Sequence, residues 1–221
     1  MILIRALILI VIFVPFVKAQ ILFSEDSWNV HFNLKDIKRL QYYNDKIYCF
    51  GAKGFYYFDL IEKSINTSTF SEGFSGYSVS ASTMTSENLI LGYSSGQIDF
   101  ISSNNILSID LNNPDSKTII NSMIMRGHLL YVSTSSGLFI IDAEKKTIKE
   151  KYSNIGLGGE NINIIETKFF QDSIYLVTTD LIYYANINSS NLLDYNLWET
   201  KNYYDDKILG SYILNNKIFF Y

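Results

Sequence analysis

One motif returns along this chain about every 42 residues, and it constrains the fold more than any other feature. It reads Ile47-Tyr48-Cys49-Phe50-Gly51-Ala52-Lys53-Gly54-Phe55-Tyr56-Tyr57-Phe58-Asp59. It returns as Leu89-Ile90-Leu91-Gly92-Tyr93-Ser94-Ser95-Gly96-Gln97-Ile98-Asp99-Phe100-Ile101 and as Leu130-Tyr131-Val132-Ser133-Thr134-Ser135-Ser136-Gly137-Leu138-Phe139-Ile140-Ile141-Asp142. A fourth copy, Ile174-Tyr175-Leu176-Val177-Thr178-Thr179-Asp180-Leu181-Ile182-Tyr183-Tyr184, lacks the glycine. A fifth begins at Ile218-Phe219-Phe220 and breaks off at Tyr221. The anchors Ile47, Leu89, Leu130, Ile174 and Ile218 are spaced 42, 41, 44 and 44 residues apart. A strand, a tight turn and a second strand at this period predict an all-β chain of propeller type, with four-stranded antiparallel blades. Because the fifth copy is interrupted, the expected propeller is incomplete, with about four to five blades.

The flanking residues complete each unit. The predicted blades lie near 37–70, 79–111, 120–152 and 162–198, and a truncated fifth near 208–221. Within the first, strands are expected at Ile37 to Tyr43, Ile47 to Phe50, Phe55 to Asp59 and Ile65 to Phe70. Before them, alternation in Ser27 to Phe32 puts Trp28, Val30 and Phe32 on one face of a first or closing strand. Gly54, Gly96 and Gly137 hold the turn between the second and third strands, where a residue tolerating positive φ is needed. Asp180 is expected to play the same part, since Asp is among the few residues that tolerate that region. Asp59, Asp142 and the inward-shifted Asp99 recur at the end of the third strand, which reads as turn or strand-end capping rather than catalysis.

The first nineteen residues read as an address rather than a fold element. Arg5 precedes the apolar run Ala6 to Val17, and Val17-Lys18-Ala19 places small or light residues before a cleavage site at Gln20. The run is shorter than the ~20 residues a membrane-spanning helix needs, and Pro15 breaks it. Residues 1–19 are therefore expected to be a signal peptide, leaving no transmembrane span. Cleavage removes two basic residues and takes the net charge from −4 to −6. An exported, mildly acidic chain has no basic patch that would recruit nucleic acid.

Little in the chain suggests catalysis. With two histidines and one cysteine, no cluster has zinc-ligand spacing. Cys49 has no partner for an internal disulfide and reads as a small buried hydrophobe in a strand. No nucleophile elbow or phosphate loop occurs. Gly156-Leu157-Gly158-Gly159-Glu160 is glycine-rich, but no helix pattern follows it, and Glu72-Gly73-Phe74-Ser75-Gly76 stands at the same place after the first repeat. Both read as loops between blades. Asn66-Thr67-Ser68 and Asn188-Ser189-Ser190 fit the short N-glycosylation pattern. Asp205-Asp206 reads as a solvated turn, with calcium ligation as the alternative. The pairs Tyr42-Tyr43, Tyr56-Tyr57, Tyr183-Tyr184 and Tyr203-Tyr204 are expected to send one ring to a sheet interface and leave the other exposed, where it suits carbohydrate or protein contact. No catalytic, metal or cofactor-binding residue is assigned, no cofactor is expected, and the ligand-binding residues are unknown.

These residues also carry a resemblance. Leu89-Ile90-Leu91-Gly92-Tyr93-Ser94-Ser95-Gly96-Gln97-Ile98-Asp99 resembles a blade of the PorZ family of the type IX secretion system. Ile119-Ile120-Asn121-Ser122, Leu130 to Thr134, Gly137 to Asp142 and the Leu192-Leu193-Asp194-Tyr195-Asn196-Leu197-Trp198 ending resemble that family in the same order. The resemblance implies two seven-bladed propellers and a C-terminal β-sandwich in a protein several times this length. It also implies an exported protein, in the periplasm or on the outer-membrane surface. There it would be a non-enzymatic member of an attachment complex with the sortase PorU, the barrel PorV and PorQ, and would present anionic lipopolysaccharide to the sortase. The missing C-terminal half puts sugar binding by this segment in doubt. The alternative is the sensor ectodomain of a hybrid two-component regulator. Such repeats usually carry a Trp before the glycine turn, where this chain has Phe50-Gly51-Ala52-Lys53, Leu91-Gly92-Tyr93-Ser94 and Val132-Ser133-Thr134-Ser135. A polysaccharide-cleaving propeller would need a carboxylate pair at catalytic separation on one rim.

An open ring exposes an unpaired strand edge. Residues 20–221 expressed alone are therefore expected to aggregate or stay partly unfolded. A sharp, reversible melt of soluble monomer in calorimetry would contradict this.

Overall fold

The structure is a computed structural model that describes residues 37–51, 54–68, 73–76, 78–103, 105–114, 116–202 and 207–221. The proposed signal peptide, Trp28, His31 and the 203–206 segment, with Tyr203, Tyr204, Asp205 and Asp206, lie outside them. The described residues all belong to one compact unit.

Among the described residues, eighteen strands form four four-stranded antiparallel sheets and one strand pair. The first sheet holds β1 (Ile37–Tyr43), β2 (Lys46–Gly51), β3 (Gly54–Asp59) and β4 (Ser64–Ser68). The second holds β5 (Val79–Met84), β6 (Leu89–Tyr93), β7 (Gln97–Ile101) and β8 (Ile106–Asp110). The third holds β9 (Ile120–Arg126), β10 (Leu129–Thr134), β11 (Gly137–Asp142) and β12 (Thr147–Tyr152). The fourth holds β13 (Glu166–Phe170), β14 (Ser173–Val177), β15 (Leu181–Asn186) and β16 (Glu199–Asn202), and β17 (Ser211–Leu214) pairs with β18 (Lys217–Phe220). Each sheet is a simple meander, with every strand paired to its sequence neighbour. The first strands β1, β5, β9, β13 and β17 stand side by side in that order. This is a β-propeller of four blades and the start of a fifth, as the repeat predicts.

Strand alternation explains why the blades stack. Successive side chains point to opposite faces, and here both faces are buried. On β6, Leu89, Leu91 and Tyr93 join Tyr43, Phe50 and Phe55 of the first blade. Ile90 faces the other way, into a cluster with Leu130, Val132, Phe139 and Ile141 of the third blade. On that third blade, Tyr131, Leu138 and Ile140 turn instead toward Ile174, Leu176 and Tyr183 of the fourth. The anchors Leu89, Leu130 and Ile174 thus all face the preceding blade, which accounts for their constant chemistry. Gly92 marks a close approach, since a Cβ there would lie 3.0 Å from Ile120 and 3.1 Å from the Met123 sulfur.

The turns show the repeat's logic and its exceptions. Asn44 and Asp45 both have positive φ, as do Asn215 and Asn216, the conformation of a two-residue hairpin turn that follows strand twist. Gly54, Gly96 and Gly137 have φ of 149°, 92° and 102°. At Gly137 a side chain would also collide with the Tyr152 carbonyl oxygen. The expectation for Asp180 is corrected. Thr134 Oγ1 donates to the Gly137 carbonyl at 2.7 Å, and Thr178 Oγ1 donates to the Leu181 carbonyl at 2.8 Å. Leu181, not Asp180, therefore occupies the glycine position, and neither residue has positive φ. The Thr178 hydroxyl closes this turn by accepting the Leu181 N–H at 3.0 Å.

The fourth blade also begins and ends later than 162–198. The Ile164 N–H donates to the Thr134 carbonyl at 3.0 Å, and its carbonyl accepts from Asn121 Nδ2 at 2.8 Å. With these groups committed to the third blade, strand pairing starts at Glu166. At the other end, a twelve-residue connection from Ile187 to Trp198 delays the last strand to Glu199.

These turn geometries predict unequal costs for two glycine substitutions. Gly137→Ala combines positive φ with a backbone collision and should destabilise the protein by about 3 kcal/mol. Gly127→Ala, at φ 59° with nothing within 4 Å, should cost only about 1 kcal/mol. Urea denaturation of both variants checks the difference, and equal losses would refute it.

Candidate functional site

The first-to-second and third-to-fourth strand turns of successive blades lie on one face of the propeller, where three grooves open between neighbouring blades. The groove between blades one and two holds about 390 Å³ and is lined by Tyr43, Lys46, Tyr48, Tyr57, Phe74 and Ile101. Its walls are aromatic: the Tyr48 and Tyr57 rings lie 5.4 Å apart, and Lys46 Nζ sits 4.5 Å above the Tyr57 ring. The groove between blades two and three, also about 390 Å³, is lined by Met84, Glu87, Asn88, Met125, His128 and Glu144, among others. That between blades three and four holds about 320 Å³ and includes Tyr131, Lys149, Glu150 and Tyr152. In it the Tyr152 hydroxyl donates to Glu150 at 2.7 Å, and burial followed by that bond raises the Tyr152 pKa.

A local irregularity shapes the middle groove. Blades one, three and four turn from first to second strand in two residues: Asn44-Asp45, Gly127-His128 and Gln171-Asp172. Blade two uses four, Thr85 to Asn88. Thr85 Oγ1 accepts the N–H groups of Glu87 and Asn88 at 3.2 and 3.0 Å, fixing the longer turn. The difference is readable in the repeat alignment, but the groove it creates depends on the packing of two blades.

The carboxylates at the third-strand ends divide into two kinds. Asp59 Oδ1 accepts the N–H groups of Ile61 and Glu62 at 2.9 and 3.0 Å. Asp142 Oδ1 accepts those of Glu144 and Lys145 at 3.2 and 3.0 Å. These backbone donors lower both pKa values, and both residues are turn caps as predicted. Asp99 is not, and here the sequence expectation is corrected. It lies within β7, fully buried. It accepts from the Ser75 N–H at 2.8 Å, the Ser75 hydroxyl at 2.6 Å, the Ser108 hydroxyl at 2.6 Å and the Tyr93 hydroxyl at 2.8 Å. Ser75 belongs to the link between blades one and two, so Asp99 ties that link to the second blade. Each bond to an ionised acceptor is stronger than a neutral one, and together they offset the cost of burying the charge.

Other sequence candidates have structural positions. Cys49 is buried and free. Tyr43 is 8% exposed against 53% for Tyr42, and Tyr183 is buried beside a half-buried Tyr184. Tyr56 and Tyr57 are both half-buried, so that pair does not divide as expected: Tyr57 forms a groove wall, and Tyr56 pairs with Cys49. Gly156 to Glu160 forms a loop between blades three and four, closed by the Gly156 N–H donating to the Glu160 carbonyl at 2.9 Å. Asn66 is half-buried in β4, and Asn188 is exposed. Among the described residues, no group of three or more His, Cys, Asp or Glu side chains is placed to hold a metal ion. No helix among them is long and apolar enough to cross a membrane. The grooves supply stacking surfaces and hydrogen-bonding groups, which suit binding.

Fold and grooves together define a β-propeller of four-stranded blades with clefts between them. Over residues 47–199 the chain matches the model of the N-terminal β-propeller domain of PorZ of the type IX secretion system, and it belongs to that family. Among solved structures it is similar to PorZ of Porphyromonas gingivalis, described as an essential bacterial surface component of that system, with a TM-score of 0.69 and 18% identity. The match covers 87% of this chain and 26% of that one, so the chain spans about a quarter of its length. It is also similar to the extracellular domain of a B. thetaiotaomicron protein described as a hybrid two component system, with a TM-score of 0.66, 11% identity and coverage of 84% and 26%. A designed protein, Ika8, matches with a TM-score of 0.57 and 10% identity, over 83% of this chain and 54% of that one. At these identities the structural likenesses report fold alone. No curated protein matches the chain in sequence.

The Asp99 cluster makes a stability prediction. Asp99→Ala removes the acceptor of the buried Tyr93 hydroxyl, of the Ser75 N–H and of the Ser75 and Ser108 hydroxyls and should cost about 2–4 kcal/mol. Tyr93→Phe removes one donor and should cost about 1–2 kcal/mol. Burial, then the Asp99 charge and the bond to it, push the Tyr93 pKa far above its ordinary 10.0. A proton held more tightly in the folded chain stabilises it below pH 10, and this contribution is lost as pH rises beyond that value. Urea midpoints of the parent protein should fall above pH 10, and those of Tyr93→Phe should fall less steeply. Parallel profiles would exclude this role for Tyr93.

Proposed function

We propose that this chain is the N-terminal part of a non-enzymatic surface component of a type IX secretion machinery. In this reading residues 1–19 direct export, and residues 20–221 begin a propeller on the periplasmic or outer surface of the outer membrane. The assembled protein works beside the sortase PorU, the barrel PorV and PorQ. It presents anionic lipopolysaccharide to the sortase that attaches secreted proteins. The observation carrying the proposal is the family match across residues 47–199. The aromatic walls of the groove between blades one and two accord with a binding role.

A sensor ectodomain is the second reading, favoured by the likeness to the B. thetaiotaomicron extracellular domains. The remainder of the open reading frame separates the two. A C-terminal β-sandwich fits the secretion component, and a transmembrane helix followed by a kinase domain fits the sensor.

Affinity isolation of the full-length protein from outer membranes is expected to recover the sortase and lipopolysaccharide together. Deletion of the gene should leave secreted proteins with uncleaved C-terminal signals. Recovery of neither partner, with normal signal processing in the deletion strain, would refute the proposal.

A further inference from the structure

The largest departure from the repeat lies in the fourth blade. The third and fourth strands are joined by four residues in blades one to three: Leu60–Lys63, Ser102–Asn105 and Ala143–Lys146. In blade four the same connection runs twelve residues, Ile187 to Trp198. Four residues suffice to connect these strands, so the extra eight are not required by the blade.

The long loop is built, not loose. Trp198 and Leu192 are buried in the core between blades three and four, and Trp198 Nε1 donates to the Leu192 carbonyl at 2.9 Å. Asp194 Oδ1 accepts from the Asn196 N–H at 3.0 Å and from its side-chain amide at 2.8 Å. This starts a single 3-10 turn at Tyr195–Leu197. The turn meets the glycine-rich link between the blades, with the Tyr195 ring 3.5 Å from where a Gly159 side chain would stand. Gly159 has a φ of 82°, a backbone conformation that favours glycine.

This scaffold carries apolar side chains into solvent. Leu193 is 55% exposed, Tyr195 41%, Leu197 41%, and Leu157 of the adjoining link 58%. Four large apolar groups stand exposed on two touching loops, and loops on a rigid scaffold are where binding residues collect. The two loops themselves carry charge of one sign. Glu160, Asp194 and Glu199 lie in or border these loops, and residues 153–165 and 187–198 contain no Lys or Arg. Of the lysines on the flanking strands, Lys151 and Lys201 lie over the Phe139 and Tyr184 rings, and Lys149 lines the groove beside Leu193.

We infer that the Ile187–Trp198 loop and the adjoining Gly156–Glu160 link form a docking platform for a basic polypeptide segment with apolar anchors. The leucines and Tyr195 take the anchors, and the acidic border selects the positive charge around them. The platform's chemistry does not depend on whether the propeller belongs to a secretion component or a sensor.

The test uses the full-length protein and a fluorescein-labelled amphipathic peptide of leucine and lysine, read by anisotropy. Its counterpart of leucine and glutamate is the charge control. The lysine peptide should bind, more weakly as salt rises, and the glutamate peptide should not. Leu193→Ser, Tyr195→Ser and Leu197→Ser combined should weaken binding at least about tenfold, the loss expected when interface anchors are removed. Glu160→Lys should weaken it too. Ile148→Ser, at an exposed apolar position on β12, should leave it unchanged. Thermal melts establish that the variants stay folded, and Tyr195→Ser alone serves if the triple variant does not. Equal binding of both peptides, or binding indifferent to the loop substitutions, would overturn the inference. So would self-association lost on Tyr195→Ser in sedimentation, which would make a second copy the occupant.

Discussion

The described blades depend on apolar packing between broad sheet faces. The inner strands of the second and third blades, β6, β7, β10 and β11, send alternate side chains to two different neighbours, and neither of their faces is left for water. Leu89 and Ile90 are adjacent in the chain, yet they belong to different cores. A one-residue slip in register would exchange the two cores along a whole strand. Burial on both faces therefore fixes register firmly and leaves little room for polar side chains within the sheets.

Asp99 shows how a polar group is accommodated in such a setting. It stands two residues before the position that the capping aspartates hold in blades one and three, which is Ile101 in blade two. Within β7 its side chain points toward blade one, where water is excluded. Four donors converge on it, two of them from a linker residue. The result ties a connection that carries few apolar groups to a sheet that carries many. Asp59 and Asp142 at the sheet ends cap turns at the surface, and their loss would be felt only locally.

Function in a repeat fold is concentrated where the repeat is broken. The longer turn of blade two forms one wall of a groove, and the long connection of blade four brings exposed apolar groups onto a fixed platform. Neither change disturbs the inter-blade cores. Rigid blades can carry such variation because loop length has a small cost when the sheets beneath are held by packing. This separates what keeps the propeller folded from what distinguishes it from other propellers.

The period of the motif, the alternation within its strands and the glycine turns determined the propeller class, because each reflects local geometry that a short segment imposes on itself. The capping roles of Asp59 and Asp142 were legible for the same reason, since their partners lie two and three residues away. Tertiary structure decided everything that depends on a neighbour. Asp99 is a buried tie only because Ser75, 24 residues earlier, is brought to it. Leu181 rather than Asp180 takes the glycine position, seven residues after its anchor as in the other blades, and the Thr178 hydroxyl closes the turn without a positive φ. The fourth blade starts at Glu166 because blade three claims the backbone of Ile164. Grooves and platform are likewise formed between units, so no single repeat contains them.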